Sequence, residues 1–133
     1  MSLDNESKAY AVSPVGIYID KNDLYCLEVT EATSSIGQFK GTFTVKDTPE
    51  GEIQYVIGVE EPARYNFTSN QDIAGLGFIG LDRAQDRSFV LFDCWAGTIN
   101  KKNELLMSGS RSYTKPDGTR QVFSFENIIF TKK

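Results

Sequence analysis

Histidine is missing altogether from the 133 residues. Its absence removes Ser-His-Asp and Cys-His dyads, imidazole zinc sites, and the side chain that most readily moves protons near neutral pH. Cysteine is scarce: Cys26 and Cys94 stand alone, each in an apolar setting and neither in a Cys-x-x-Cys pair. That pattern suits two buried free thiols, with a strand-to-strand disulfide as the alternative, and gives little support to metal or redox chemistry. No apolar run approaches the ~20 residues of a membrane helix. Basic residues number 14 against 18 acidic ones, for a net charge of −4, and form no cluster. A nucleic-acid backbone is therefore not an expected partner, and neither is a membrane. No cofactor or metal is implied, and the chain reads as non-enzymatic.

What the chain does contain is short β-type runs separated by turn residues. Eight can be read: Val15 to Ile19, Leu24 to Glu31, Gln38 to Lys46, Ile53 to Glu60, Ala74 to Leu81, Ser88 to Ile99, Glu104 to Tyr113 and Arg120 to Thr131. The third alternates most cleanly, with Phe39, Gly41, Phe43 and Val45 on one face and Lys40, Thr42 and Thr44 on the other. Asp20-Lys21-Asn22-Asp23 and Lys115-Pro116-Asp117-Gly118 carry the residue types that reversals require. The stretch from Pro62 to Asp72 reads as the longest loop. Gly75-x-Gly77-x-x-Gly80 looks like a dinucleotide motif, but no helical pattern follows it, so the phosphate-binding mechanism is missing.

Eight consecutive antiparallel strands without a long crossover predict an up-and-down β-barrel spanning residues 15–132, since closure removes exposed edges. Residues 1–14 read as a flexible N-terminal arm. A barrel of eight strands either fills with side chains or holds one small ligand. The predicted lining is Tyr18, Phe43, Tyr55, Phe78, Ser88, Phe92 and Ser110. Such a lumen would take a small apolar or amphipathic ligand; the alternative is that the aromatics plug it.

The late strands carry apolar residues on both faces. In the sixth run Val90, Phe92 and Cys94 alternate with Leu91, Asp93 and Trp95; in the eighth, Val122, Ile128 and Phe130 oppose Phe123, Phe125 and Ile129. Two readings follow. A loop or the N-terminal arm covers the outer face, or that face is a subunit interface formed by Phe89, Leu91, Trp95, Phe123 and Phe125, giving a homodimer or homotetramer. A third class of function, a barrel-mouth enzyme, would rest on carboxylates in apolar settings: Asp93, Glu28 and Glu126, with Arg111 as partner. An ion pair with Arg111 or Arg120 at an interface or at the barrel rim is the competing reading of the same residues.

Gly37-Gln38-Phe39-Lys40-Gly41-Thr42-Phe43-Thr44 is similar to the Gly-x-Phe/Leu-Thr-Gly-Thr-Tyr third strand of the avidin/streptavidin family. Asn127-Ile128-Ile129-Phe130-Thr131-Lys132 resembles that family's closing strand, and Gly16-Ile17-Tyr18 its opening Gly-x-Trp. The resemblance implies an eight-stranded streptavidin-like or calycin-like barrel. It carries the family's biotin contacts over poorly. Asp20, Leu24, Phe43, Asp82, Val90, Ser110 and Ile128 stand where polar or Trp ligand residues are expected, and only Ser88 and Phe92 fit. Each lost hydrogen-bond partner costs about 1–3 kcal/mol, so the resemblance does not imply tight biotin binding.

Overall fold

A computed structural model of the chain describes residues 13–68, 73–82 and 86–133. The described residues form nine β-strands: β1 Gly16–Asp20, β2 Tyr25–Thr33, β3 Gln38–Thr48, β4 Gly51–Ile57, β5 Ala63–Phe67, β6 Ala74–Leu81, β7 Val90–Ile99, β8 Glu104–Thr114 and β9 Arg120–Lys132. No helix occurs among them. Every pairing is antiparallel, and β1 bonds both β2 and β9, which closes the sheet. The result is an eight-stave up-and-down barrel, consistent with the streptavidin and calycin type of architecture. Residues 1–12 of the expected N-terminal arm lie outside the described residues.

Nine strands make eight staves because one stave is broken. β3 pairs with β4 along Gly41–Val45 and with β5 through Gln38 and Phe39. The break follows Gly58, whose φ of 82° is a left-handed conformation that glycine adopts at little cost. Two expectations are corrected here. The fourth run stops at Ile57 and leaves Val59 exposed, and the stretch after Pro62 is not all loop, since β5 occupies Ala63–Phe67. Ala63, Tyr65 and Phe67 alternate with Arg64 and Asn66 in a half-buried strand whose Asn and flanking Pro resemble loop composition.

The inner face is aromatic. Phe43 on β3 lies 5.1 Å, centroid to centroid, from Phe78 on β6 and 5.2 Å from Trp95 on β7. Trp95 stacks on Phe125 at 5.1 Å. Each such pair adds about 0.5–1.5 kcal/mol to the burial of its rings. Leu27, Val29, Ile57, Leu105 and Phe130 complete the layers above and below. Gly80 on β6 gives Tyr55 room: a Cβ there would sit 2.7 Å from the Tyr55 ring.

Bulges set which side chains face in. Between Met107 and Gly109 on β8 a single residue opposes two on β9, Glu126 and Asn127. Asn127 has φ of 54°, and its N–H donates to Ser108 Oγ at 2.9 Å. The extra residue shifts the phase of β9, so Phe123 and Phe125 before it and Ile128 and Phe130 after it all pack toward the interior. The two apolar faces read in the eighth run are therefore largely one face. A second bulge, at Lys46–Asp47 of β3 opposite Glu52, turns that strand at the barrel mouth.

Candidate functional site

The mouth is the barrel end at which β1, β3, β6 and β8 finish, with the β1–β2, β3–β4 and β8–β9 turns around it. Asp20 builds the first of these turns. Its carboxylate accepts the N–H groups of Leu24 and Tyr25 at 2.8 Å each, and its own side chain is buried. This turn work explains an aspartate at the position where the resemblance expects a ligand residue.

Below the mouth lies a buried polar cluster. Asp93 on β7 and Arg111 on β8 are cross-strand neighbours, 0% and 1% exposed. Arg111 Nε donates to Asp93 Oδ1 at 2.9 Å and to Oδ2 at 3.1 Å, and Nη2 donates to Oδ2 at 2.8 Å. Tyr55 Oη donates to Asp93 Oδ1 at 2.8 Å, and Trp95 Nε1 donates to Oδ2 at 2.9 Å. The guanidinium also lies over the Phe125 ring, 4.8 Å from its centroid. Burial would lower the Arg111 pKa, yet hydrogen bonding and charge from Asp93 hold it above its usual range. Tyr55 is pushed well above ordinary tyrosine by burial, then by the Asp93 charge. The Asp93 carboxylate is thus paired, hydrogen-bonded on both oxygens and shut from solvent. It has the features of a structural ion pair with Arg111, but inside the barrel and not at the interface or rim expected from the sequence.

Nearer the solvent, Tyr25 Oη donates to Asp47 Oδ2 at 2.6 Å, and Arg111 Nη1 sits 3.5 Å from Asp47 Oδ1. Tyr113 Oη donates to the Glu50 carboxylate. That bond, followed by burial, pushes the Tyr113 pKa up to about 12. The polar cluster was not assembled by sequence reasoning beyond the Asp93–Arg111 pair. Tyr25, Asp47 and Tyr55 belong to three other strands, and only the barrel's closure brings them together.

The predicted lining divides. Tyr18, Phe43, Tyr55 and Phe78 are inside and buried. Ser88 lies exposed ahead of β7, and Phe92 and Ser110 point outward. The predicted interface is corrected the same way. Leu91 and Trp95 are buried inside, and Phe89, Phe123 and Phe125 are partly buried against the core. The cause is strand parity: in β7 the inward set is Leu91, Asp93 and Trp95, so one residue of register exchanges the two faces. Glu28 and Glu126 are exposed, away from the buried cluster. Cys26 is half-buried and Cys94 exposed, both as free thiols. Among the described residues no group of three His, Cys, Asp or Glu side chains is arranged to hold a metal ion.

The outer surface of β6–β9 is the other distinctive region. Paired across these strands is the row Leu81–Phe92–Ser112–Val122, followed by Ile79–Cys94–Ser110–Ser124 and by Gly77–Ala96–Ser108. Val122 in the first row is 75% exposed; Val90, 59% exposed, extends the face beyond it at one end, and Leu106 and Ile129 do so at the other. The paired positions of these three rows carry no formal charge; among the described residues Glu126 stands in the β9 bulge opposite Ser108, Glu104 and Arg120 lie at strand ends, and Asp82, Arg87 and Lys115 flank Leu81 and Val90. The signal was present in the sequence as serine and small residues alternating with an apolar set. It could be located on the outside only once the register was known.

Comparison of the chain with protein-family models, with curated proteins and with solved structures finds no match.

Proposed function

We propose that this protein is a non-enzymatic barrel that works through its outer surface, associating with a second copy of itself across the outward face of β6–β9. The supporting observation is the uncharged stretch from Leu81 and Phe92 to Val122, continued by Cys94, Ala96 and Ser110. Interface centres are depleted in charge and enriched in aromatic residues; the rows of this face carry no charge and one aromatic residue, Phe92, among serine and other small residues. Its shape favours self-association. Phe92 and Val122 project at one end while the serine, alanine and glycine rows beside them leave shallow ground. A two-fold axis through the face would set the projections of each copy onto the low rows of the other.

The filled interior argues in the same direction. Tyr18, Phe43, Tyr55 and Phe78, expected to line a ligand chamber, meet Trp95, Phe125 and Phe130 in one packed layer sequence. The space a small apolar ligand would need is occupied by the chain's own rings. The likeness to avidin and streptavidin fits this reading at the level of architecture, with the biotin contacts replaced.

Sedimentation velocity over a range of concentrations tests the proposal. The wild-type chain should sediment as a dimer or dimer of dimers, and Phe92→Glu as a monomer with unchanged thermal stability. A wild-type monomer throughout the range would overturn it.

A further inference from the structure

We infer that the barrel mouth holds a receptor for a small carboxylate, filled in this structure by the chain's own Asp47. The inference starts from Arg111. Its guanidinium is 1% exposed, and its Nε and Nη2 are engaged by Asp93. Nη1 meets its carboxylate, Asp47, at 3.5 Å, beyond the about 2.7–3.2 Å of a formed N–H···O bond. A buried guanidinium edge is therefore directed at the mouth and only loosely satisfied.

Asp47 has the attributes of an occupant that can leave. Its side chain is 34% exposed, and it sits in the β3 bulge, where the ladder to β4 is interrupted. What holds it is the Tyr25 hydroxyl at 2.6 Å. Rotation of Asp47 into water would free a hydroxyl donor and a guanidinium edge together. These are two donors converging on the volume of one carboxylate group, with the Phe125 ring beneath the guanidinium. That combination selects a planar anion able to accept from both, and the guanidinium fork suits a carboxylate. The rest of the ligand would extend outward past the β3–β4 turn. Asp93 already neutralises Arg111, so recognition rests on donor geometry more than on net charge. The site is separate from the β6–β9 outer face, and neither reading depends on the other.

Trp95 supplies the readout. It is the one tryptophan of the chain, it donates to Asp93, and it stacks on Phe125. Wild type, Asp47→Ala and Asp47→Asn are titrated with sodium acetate at constant ionic strength, with sodium chloride and neutral acetamide as controls, following Trp95 emission and melting temperature. Acetate should give a saturable response in the wild type and should bind Asp47→Ala about tenfold more tightly, because the tethered competitor is gone. Asp47→Asn should fall between, and adding Tyr25→Phe to Asp47→Ala should weaken the response severalfold. Three results would overturn the inference: equal responses to chloride or acetamide, identical midpoints in wild type and Asp47→Ala, or a wild-type chain that stays silent across the titration. The last would make Asp47 a fixed counter-ion. If Asp47→Ala is unfolded, Asp47→Asn carries the same comparison.

Discussion

Asp93 and Arg111 stand opposite each other in the β7–β8 ladder, and both point into the barrel, where they close three hydrogen bonds with each other. A charged pair in an otherwise aromatic interior has a characteristic energetic signature. Breaking one side leaves an unpaired buried charge, which costs about 3–5 kcal/mol, while replacing both with apolar side chains of similar size is often close to neutral. Asp93→Leu and Arg111→Met should therefore each lower urea-unfolding stability by about 3–5 kcal/mol. The double variant should recover most of that loss. Additive losses would show that the two residues act independently.

Gly80 and Tyr55 give a second, purely steric test. A methyl group at position 80 would meet the Tyr55 ring at 2.7 Å, whereas one at position 77 finds its nearest neighbour at 3.4 Å. Overpacking of this kind costs about 1–3 kcal/mol. Gly80→Ala should show that loss in denaturant melts, with Gly77→Ala nearer to wild type. Equal effects at the two positions would contradict the packing described.

Alkaline pH should destabilise the fold through its tyrosines. Burial pushes Tyr18 up to about 12, and Tyr113 reaches about 12 through its bond to Glu50 and through burial. In the unfolded chain a tyrosine titrates near about 10. Between these values the unfolded chain has lost protons that the native state retains, so stability falls as pH rises. The contribution is complete below pH about 10 and lost as pH climbs to about 12. With no histidine in the chain, no imidazole contributes a slope near neutrality. Chemical denaturation across pH 10–12 checks the sign, and stability that rises through this window would refute it.

The sequence displayed the barrel because its alternation and turn chemistry are local properties. Phe39, Phe43 and Val45 repeat at the strand period, and the turns at Asp20–Asp23 and Lys115–Gly118 carry their own residue preferences. Facing direction was harder, because it depends on parity and parity is reset by bulges. Phe125 and Ile128 both face inward although three positions separate them, and the reason is the left-handed Asn127 between. Asn127 is of a residue type that tolerates the left-handed region, but one asparagine does not fix where a strand bulges. Leu91, Asp93 and Trp95 raised the opposite problem. Leu91 and Trp95 were expected on the outer face, and the burial of Asp93 between them rests on its partner Arg111, eighteen residues away on another strand. The cluster of Tyr25, Asp47 and Tyr55 around that pair was legible only after the staves had closed.

The working surface can be located with the chain's own thiols. Cys94 lies in the middle of the outward β6–β9 face, between Ile79 and Ser110, and Cys26 lies on β2, outside that face. The decisive measurement is the rate of thiol modification at each cysteine as protein concentration rises. Cys94 should become strongly protected as the assembly forms, while Cys26 keeps a constant rate. A Cys94 that reacts equally fast in dilute monomer and in concentrated, assembled protein would place the contact elsewhere and contradict the proposal that the barrel works through this face.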